Sequence, residues 1–415
     1  MAKINLADKI EKQLPVELND FMRQAGKLAA SRGENLYLVG GVIRDLLLKK
    51  ANLDLDLVVE GDAVTLARQL LPDEPAKITV HRRFSTAKIG WRKWTIDLAT
   101  ARRESYARPG ALPGVTPSTV GNDLRRRDFT INAMAIALNP DGYGELVDPH
   151  NGRRDLEHRL IRILHDKSFI DDATRIWRGL RYEQRLGFRL EVSTFKLLKR
   201  DIAMLNSISG DRIRYELECI LNEERPEKVF SRAQELGVLE SLHPSLGGNG
   251  WLEEKFSQAR KLTSPESPPI ALYLALLTYH LTGEEREQLI SKLRPTKLVT
   301  KTLRDTADIK GQLKPLADAK IKPSQIYHRL YGCSPAAITA NLLASDLPIA
   351  QKHLKLFLDK LRSIRPSLNG DDLKGIGIAP GPRIKEILNL LLEARLDGKA
   401  TTREEEERLV RGWLD

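Results

Sequence analysis

Cysteine is nearly absent. The 415 residues carry two, Cys219 and Cys333, far apart and without the spacing of a metal site or a disulfide framework. That usage fits a reducing compartment. Long apolar runs are missing as well, and no stretch approaches the roughly 20 residues that a membrane-spanning helix needs. The opening "MAKINLADKIEKQL" has no apolar signal core. A soluble, cytoplasmic protein with no membrane partner is expected. There is no internal repeat and no low-complexity tract. Neither a GK[ST]-terminated phosphate loop nor a GxGxxG turn occurs, which removes the common P-loop and dinucleotide-binding readings.

What is abundant is charge. Lys and Arg number 67 against 56 Asp and Glu, and the net charge of +11 suits a polyanionic partner. Apolar residues at 41% and charged residues at 30% describe a folded globular chain. Its length predicts two to four structural units.

The first 140 residues mix helix and strand signals. "DKIEKQLPVELNDFMRQAGKLAASRG" has helical spacing and stops at Gly33. "NLYLVGG" reads as a strand, "VIRDLLLKK" as a short helix and "LDLDLVVEG" as a second strand. "DAVTLARQLL" is helical, and "KITVHRRFSTAKIGWRKWTIDLAT" contains two or three more strands. From about Asn151 onward amphipathic helices dominate. "TSPESPPIALYL" (263–274) is a Pro-rich break and a candidate module boundary. The fold class is therefore α+β: a head with a small mixed sheet, followed by an all-α extension.

The sharpest local signal is "NLDLDLVVEG" (52–61). On a strand, Asp54 and Asp56 point the same way. Two carboxylates so placed can converge on a divalent cation, and hard oxygen donors suit Mg²⁺. An exposed edge-strand face would explain a lone DxD equally well. Asp97, on the similar run "KWTIDLAT", is a further candidate ligand that would complete a triad. Thirteen residues before the DxD, Gly40 and Gly41 lie between a strand and a helix. There they let backbone N–H groups approach a phosphate, or simply make a turn.

"DLRRRDFTINAMAIAL" (123–138) reads as three arginines and Asp128 leading into an apolar helix. Arg126 and Arg127 can hold a triphosphate through guanidinium forks. Asp128 and Asn132, one helical turn apart, can meet ribose hydroxyls. Arginines at a helix start oppose the helix dipole, which suggests an anion between them. A solvated basic helix start is the plain alternative.

The succession GG-x-I-RD, D-x-D and RRDFTINAMA resembles the bacterial class II tRNA nucleotidyltransferase and poly(A) polymerase family of the polymerase-β superfamily. "ELVDPHNGRRDLEHRLIRIL" (145–164), "DDATRIWRGLRYEQRLGF" (171–188) and "SGDRIRYELECIL" (209–221) continue its motif order, so the resemblance spans about residues 35–221. It implies a catalytic head over 1–140, a base-recognising neck over 141–221, a body over 222–310 and a tRNA-binding tail over 311–415. It also implies Asp54 and Asp56 as catalytic Mg²⁺ ligands. Nucleotide phosphates and ribose are then assigned to Gly40, Gly41, Arg44, Arg126, Arg127, Asp128 and Asn132, and base recognition to Asp172, Arg175 and Arg178. The family usually has Glu-Asp where this chain has Asp171-Asp172.

Base choice has a chemical rationale. Asp172 and Arg175, three apart, are expected on one helical face. Ionised Asp only accepts hydrogen bonds and Arg only donates. Cytosine and adenine each offer an amine beside a ring acceptor and match the pair; guanine and uracil present the reverse. Mispairing leaves buried groups unsatisfied at about 1–3 kcal/mol each. Any single Asp–Arg pair can equally be a surface salt bridge. Trp177 and Tyr182 read as core.

"ATARRESYARPGALPGVTPSTVGNDL" is a long Pro/Gly-containing segment that corresponds to the family's flexible loop. Its presence speaks against CC-only addition. Lys297, Lys301, Arg304, Lys310 and Lys314 form a basic run that would touch tRNA phosphates or line a solvated face. The expected activity is CCA addition to tRNA 3′ ends from CTP and ATP. A-only addition beside a separate CC-adding enzyme, or poly(A) synthesis, uses the same motifs.

Overall fold

The computed structural model describes residues 4–71, 76–81, 84–108, 110–111 and 113–413. The chain divides into two compact units, Met1–Leu217 and Glu218–Asp415. The boundaries expected at 140/141 and 310/311 thus fall inside units.

The first unit is built on β1 (Asn35–Val39), β2 (Leu55–Glu60), β3 (Ala76–His81), β4 (Thr86–Trp91), β5 (Trp94–Thr100), β6 (Arg102–Ser105), β7 (Gly114–Pro117), β8 (Ala135–Ala137) and β9 (Leu146–Val147). Seven of these form a mixed sheet in the order β3-β4-β5-β2-β1-β8-β9, and β6 and β7 pair separately as an antiparallel hairpin. The β2–β5 pair is parallel and sets Asp56 beside Asp97.

Strand alternation sorts the side chains onto two faces. Leu36, Leu38, Leu55, Leu57, Ile89, Ile96 and Leu98 enter the large core. That core is closed by α1 (Ala7–Gln13), α2 (Val16–Ser31), α3 (Gly41–Leu47) and α4 (Ala63–Leu70). Val39, Val58 and Ala135 belong to a smaller cluster on the other face, with Val120 and Leu124 of α5 (Val120–Arg125). Asp56 lies on this second face, next to Val58. Its setting is therefore a consequence of period-two alternation on a strand whose other side must be dry.

Three expectations change here. The N-terminal helical run is two helices, because Pro15 occupies the boundary and supplies no N–H to continue the first. Leu53 is exposed and Asp54 precedes β2, so the apolar side of the strand starts at Leu55. The run after Asp128 is not an α-helix. It is a short 3₁₀ turn, Thr130–Asn132, leading into β8, where Ala135 and Ile136 pair with β1.

The remainder of this unit comprises α6 (Gly152–Glu157), α7 (Ser168–Asp171), α8 (Thr174–Leu186), α9 (Val192–Asp201) and α10 (Gly210–Leu221). The two-residue strands Leu160–Ile161 and Arg189–Leu190 pair in parallel. The second unit contains no strand among its described residues. Its helices include Gly250–Thr263, Ile270–Leu277, Lys297–Gly311 and Pro382–Leu396; one apolar cluster gathers around Ile309, Leu316 and Phe357 and another around Leu373 and Leu391. Both helices flanking the Pro-rich break lie in this unit. Among the described residues no helix is long and apolar enough to cross a membrane.

Gly26 lets α2 pack closely on the backbone after β8. A Cβ there would meet the carbonyl oxygen of Leu138 at 1.9 Å, and backbone cannot yield as a side chain does. Gly26→Ala is expected to destabilise the protein by about 1–3 kcal/mol, read from the shift in the urea unfolding midpoint at unchanged slope.

Candidate active site

A cleft of about 420 Å³ opens on the second face of the sheet. Its lining includes Gly40, Gly41, Asp56, Arg126, Arg127, Asp128, Asn132, Asp172, Arg175 and Arg178. Residues from four separate sequence motifs thus meet in one place. Arg44, Asp54 and Asp97 are not among the lining residues.

At the sheet end of the cleft, Gly40 has φ +83°, a conformation that side chains other than glycine adopt at a cost. A Cβ there would also approach Asp56 Oδ2 at 2.9 Å and Arg127 Nη1 at 3.4 Å. The glycine lets a carboxylate and a guanidinium come up against the backbone together.

The Asp56 carboxyl is pushed up to about 6. Partial loss of hydration is the main cause, Asp97 and Asp54 add to it, and Arg127 and Lys88 pull the other way. Two neighbouring carboxylates short of positive charge are a donor set that fits a hard divalent cation. The proposed third ligand fits less well. Asp97 is half exposed and faces Lys88 Nζ at 3.6 Å, and no cluster of three acidic, His or Cys side chains able to hold a metal occurs among the described residues.

The arginine run does not start a helix; it ends one. Arg125 closes α5, so the cations complement the helix dipole, and the inference drawn from an unfavourable placement falls. The arginines are aimed by Asp123, which is fully buried. Its Oδ1 accepts from Arg126 Nε at 2.9 Å and Nη2 at 2.7 Å, and its Oδ2 accepts from Arg127 Nη2 at 3.0 Å. These two guanidinium groups hold the Asp123 carboxyl below its usual range against the opposing effect of burial. Arg127 Nε is buried without a hydrogen-bond partner.

Two expected ligands prove to be braces. Asp128 Oδ1 accepts from Phe129 N and Asn132 Nδ2, and its Oδ2 accepts two bonds from Arg178, at 2.9 and 2.6 Å. With four donors on one carboxylate, little is left for a ribose hydroxyl. Burial would raise its pKa, but Arg178 and these hydrogen bonds bring it down to about 2. Arg44 is buried, forks onto Asp45 at 2.9 and 2.8 Å and donates to Asn132 Oδ1 at 2.7 Å. It orients Asn132 instead of meeting phosphate. Asn132 keeps one N–H and one lone pair for a ligand.

At the helical end, Asp172 and Arg175 do not share a helix face. Asp172 has extended backbone between α7 and α8, and its Oδ1 accepts from Thr174 N and Oγ1 at the start of α8. Its Oδ2 accepts from Arg212 Nη2 at 2.7 Å. Arg175 donates to Ser168 Oγ at 2.7 Å, to Ser168 O at 3.1 Å and to Arg126 O at 2.6 Å. Trp177 and Tyr182 are both buried, as expected, and Tyr182 also lines the cleft under the guanidinium of Arg44, 5.2 Å from its ring centroid.

The Pro/Gly segment is a hairpin, β6 and β7, whose Pro109 and Leu112 lie outside the described residues. Glu104 and Tyr106 from it wall the cleft. Glu104, only 7% exposed at its side chain, accepts from Arg102, Arg126 and the Tyr106 hydroxyl. Together with Tyr182 and Arg212, these residues escaped the sequence reading. Alternation in "RRES" places Arg103 and Ser105 outward and Glu104 inward, the one signal that could have found it.

In the second unit, Lys301 pairs with Asp305 and Arg304 with Glu287, each at 2.7 Å, and Lys310 donates to Tyr279 O. Lys297 and Lys314 are exposed. This pattern favours the solvated-face alternative for the basic run.

Residues 36–162 match the poly A polymerase head domain, and residues 187–247 match the probable RNA and SrmB-binding site of polymerase A. An A-adding tRNA nucleotidyltransferase of Halalkalibacterium halodurans is 34% identical over 416 residues, covering 99% of this chain and 96% of that relative. The chain belongs to the tRNA nucleotidyltransferase and poly(A) polymerase family. The A-adding tRNA nucleotidyltransferase of Geobacter sulfurreducens is also 34% identical, over 97% of this chain, but the chain spans only 48% of that relative's length. Among solved structures, the Thermotoga maritima CCA-adding enzyme complexed with tRNA aligns over the whole of both chains, with a TM-score of 0.78 and 30% identity.

The raised Asp56 value has a measurable consequence. A carboxyl whose folded value lies above its unfolded value of about 3.9 favours the native state while it is protonated. That contribution is complete below about pH 4 and is lost as pH rises through about 6. Asp56→Asn is therefore expected to raise the unfolding free energy at pH 8 with divalent cations chelated, and to leave it unchanged at pH 3.5. Urea titrations of both proteins at the two pH values check this.

Proposed function

We propose that this chain adds CMP and AMP units to the 3′ end of tRNA, without a nucleic-acid template, using CTP and ATP. The observation that carries the reading is the cleft itself. Asp56 and Arg127 lie at its sheet end, and Asp172 with Arg175 and Arg178 lies at its helical end.

In this reading Arg127, aimed by Asp123, takes triphosphate oxygens beside the Gly40–Gly41 backbone. Asn132 offers its remaining N–H to the ribose. Asp172 accepts the exocyclic amine of cytosine or adenine. Asp54 and Asp56 would hold Mg²⁺, which when bound lowers the pKa of the RNA 3′-hydroxyl and offsets charge on the α-phosphate and departing pyrophosphate. The 3′-oxygen bonds to the α-phosphorus as the α–β anhydride bond breaks and pyrophosphate leaves.

A second reading is addition of the terminal A alone, after a separate CC-adding enzyme. It is favoured by the two 34%-identical relatives, both A-adding enzymes.

Transcripts of one tRNA ending at the discriminator base, at C and at CC, each given single nucleotides with Mg²⁺, decide between them. The proposal expects C on the first two and A on the third. A restricted to the CC transcript would establish the second reading, and long A tails on unrelated RNA would overturn both. Asp54→Ala combined with Asp56→Ala should lower incorporation by roughly a thousandfold or more; full activity in that variant would displace the metal site.

A further inference from the structure

A second cavity, of about 400 Å³, adjoins the cleft. Glu104, Tyr106, Arg126 and Arg175 line both. Arg103 of β6 and Arg125 of α5 line the second alone. The three consecutive arginines are thus divided in chain order. Arg127 lines the cleft, Arg126 lines both spaces and Arg125 lines the second cavity.

Their pairing changes along the same row. Arg127 and Arg126 are both bonded to Asp123, and Arg126 also donates to Glu104 at 3.0 Å. Arg125 and Arg103 are exposed, and neither makes a hydrogen bond or ion pair with another described residue. The cavity's carboxylates do not answer them. Glu104 is occupied by Arg102, Arg126 and the Tyr106 hydroxyl, and Asp171 Oδ2 lies 3.9 Å from His165 Nε2. Four guanidinium groups therefore meet two carboxylates around one space.

The nearby histidines register that excess. Burial holds His165 below its usual range; Arg175 and Arg125 push the same way, against Asp171. For His150 burial again comes first, with Asp148 opposing and Arg125 adding to it. What the cavity lacks is an anion, and guanidinium forks match phosphate oxygens. The reaction assigned to the cleft releases such an anion beside Arg127 at every addition.

We propose that the second cavity is a product site that binds inorganic pyrophosphate once it has left the cleft. Arg125 and Arg103 are its ligands, and Arg126, common to both spaces, is the cation between them. Pyrophosphate held there leaves the cleft open to the next nucleotide. The inference rests on the reading of the cleft as a nucleotide site. A phosphodiester of the RNA strand offers the same oxygens, and the experiment separates the two sources.

Calorimetric binding of pyrophosphate is compared in wild type, in Arg103→Ala with Arg125→Ala, and in Arg103→Lys with Arg125→Lys. In each, the cleft is first saturated with Mg²⁺ and α,β-methylene-ATP, which cannot be transferred. Wild type is expected to bind one further equivalent of pyrophosphate, the alanine pair to bind it about tenfold or more weakly, and the lysine pair to fall between. During addition to tRNA, pyrophosphate should still inhibit wild type at saturating ATP, whereas in the alanine pair ATP should relieve the inhibition completely. The KM for tRNA should be the same in all three. No pyrophosphate bound by the saturated wild type, or equal affinity in the alanine pair, overturns the proposal. So does a raised KM for tRNA with unchanged pyrophosphate binding, which would give these arginines to the RNA backbone. If the alanine pair fails to fold, the two single alanine variants decide, wild-type affinity in both counting against. Failure of the nucleotide reading would show separately, as no binding of the ATP analogue.

Discussion

Two buried aspartates hold this cleft together, and neither needs to touch a substrate. Asp123 collects Arg126 and Arg127 as they leave the end of α5, and Asp128 collects Arg178 from α8 and Asn132 from the 3₁₀ turn. Several guanidinium groups facing one cavity would otherwise repel each other and stay hydrated. Paired with these carboxylates, they are held in place along the cleft. The carboxylates are taken below their ordinary range by these partners, which keeps them charged and the arrangement intact at neutral pH.

The opposite polarity rules at the sheet end. Asp56 has negative neighbours and incomplete hydration, and its acidity is weakened, not strengthened. The structure thus separates carboxylates satisfied by protein cations from one that is short of positive charge. The first group is architecture. The second is where an external cation would gain most.

Legibility in the sequence followed the same division. Period-two alternation placed Asp56 on a sheet face opposite Leu55 and Leu57, and the paired glycines correctly marked the turn beside it. The motifs at 123–138 and 171–178 converge with it as the resemblance implied. What failed was orientation. Apolar residues after Asp128 look helical because Ala and Met suit helices, yet β8 is three residues long and is fixed by pairing with β1, a tertiary contact that local propensity does not contain. That error reversed the helix-dipole argument for the arginines. Likewise, i,i+3 spacing put Asp172 and Arg175 on one face only if the helix began before Asp172; it begins at Thr174. Arg212 was invisible because its partner lies 40 residues away, and no local pattern announces such a contact.

The central claim is that this cleft reads a nucleotide by its amine edge at Asp172 while Arg127 takes the triphosphate. A crystal structure of the protein with ATP tests it most directly. The account predicts the adenine N6 amine within hydrogen-bond reach of the Asp172 carboxylate, with phosphate oxygens on Arg127 beside Gly40. A base seated away from Asp172, with the triphosphate directed toward the helical end, would contradict it.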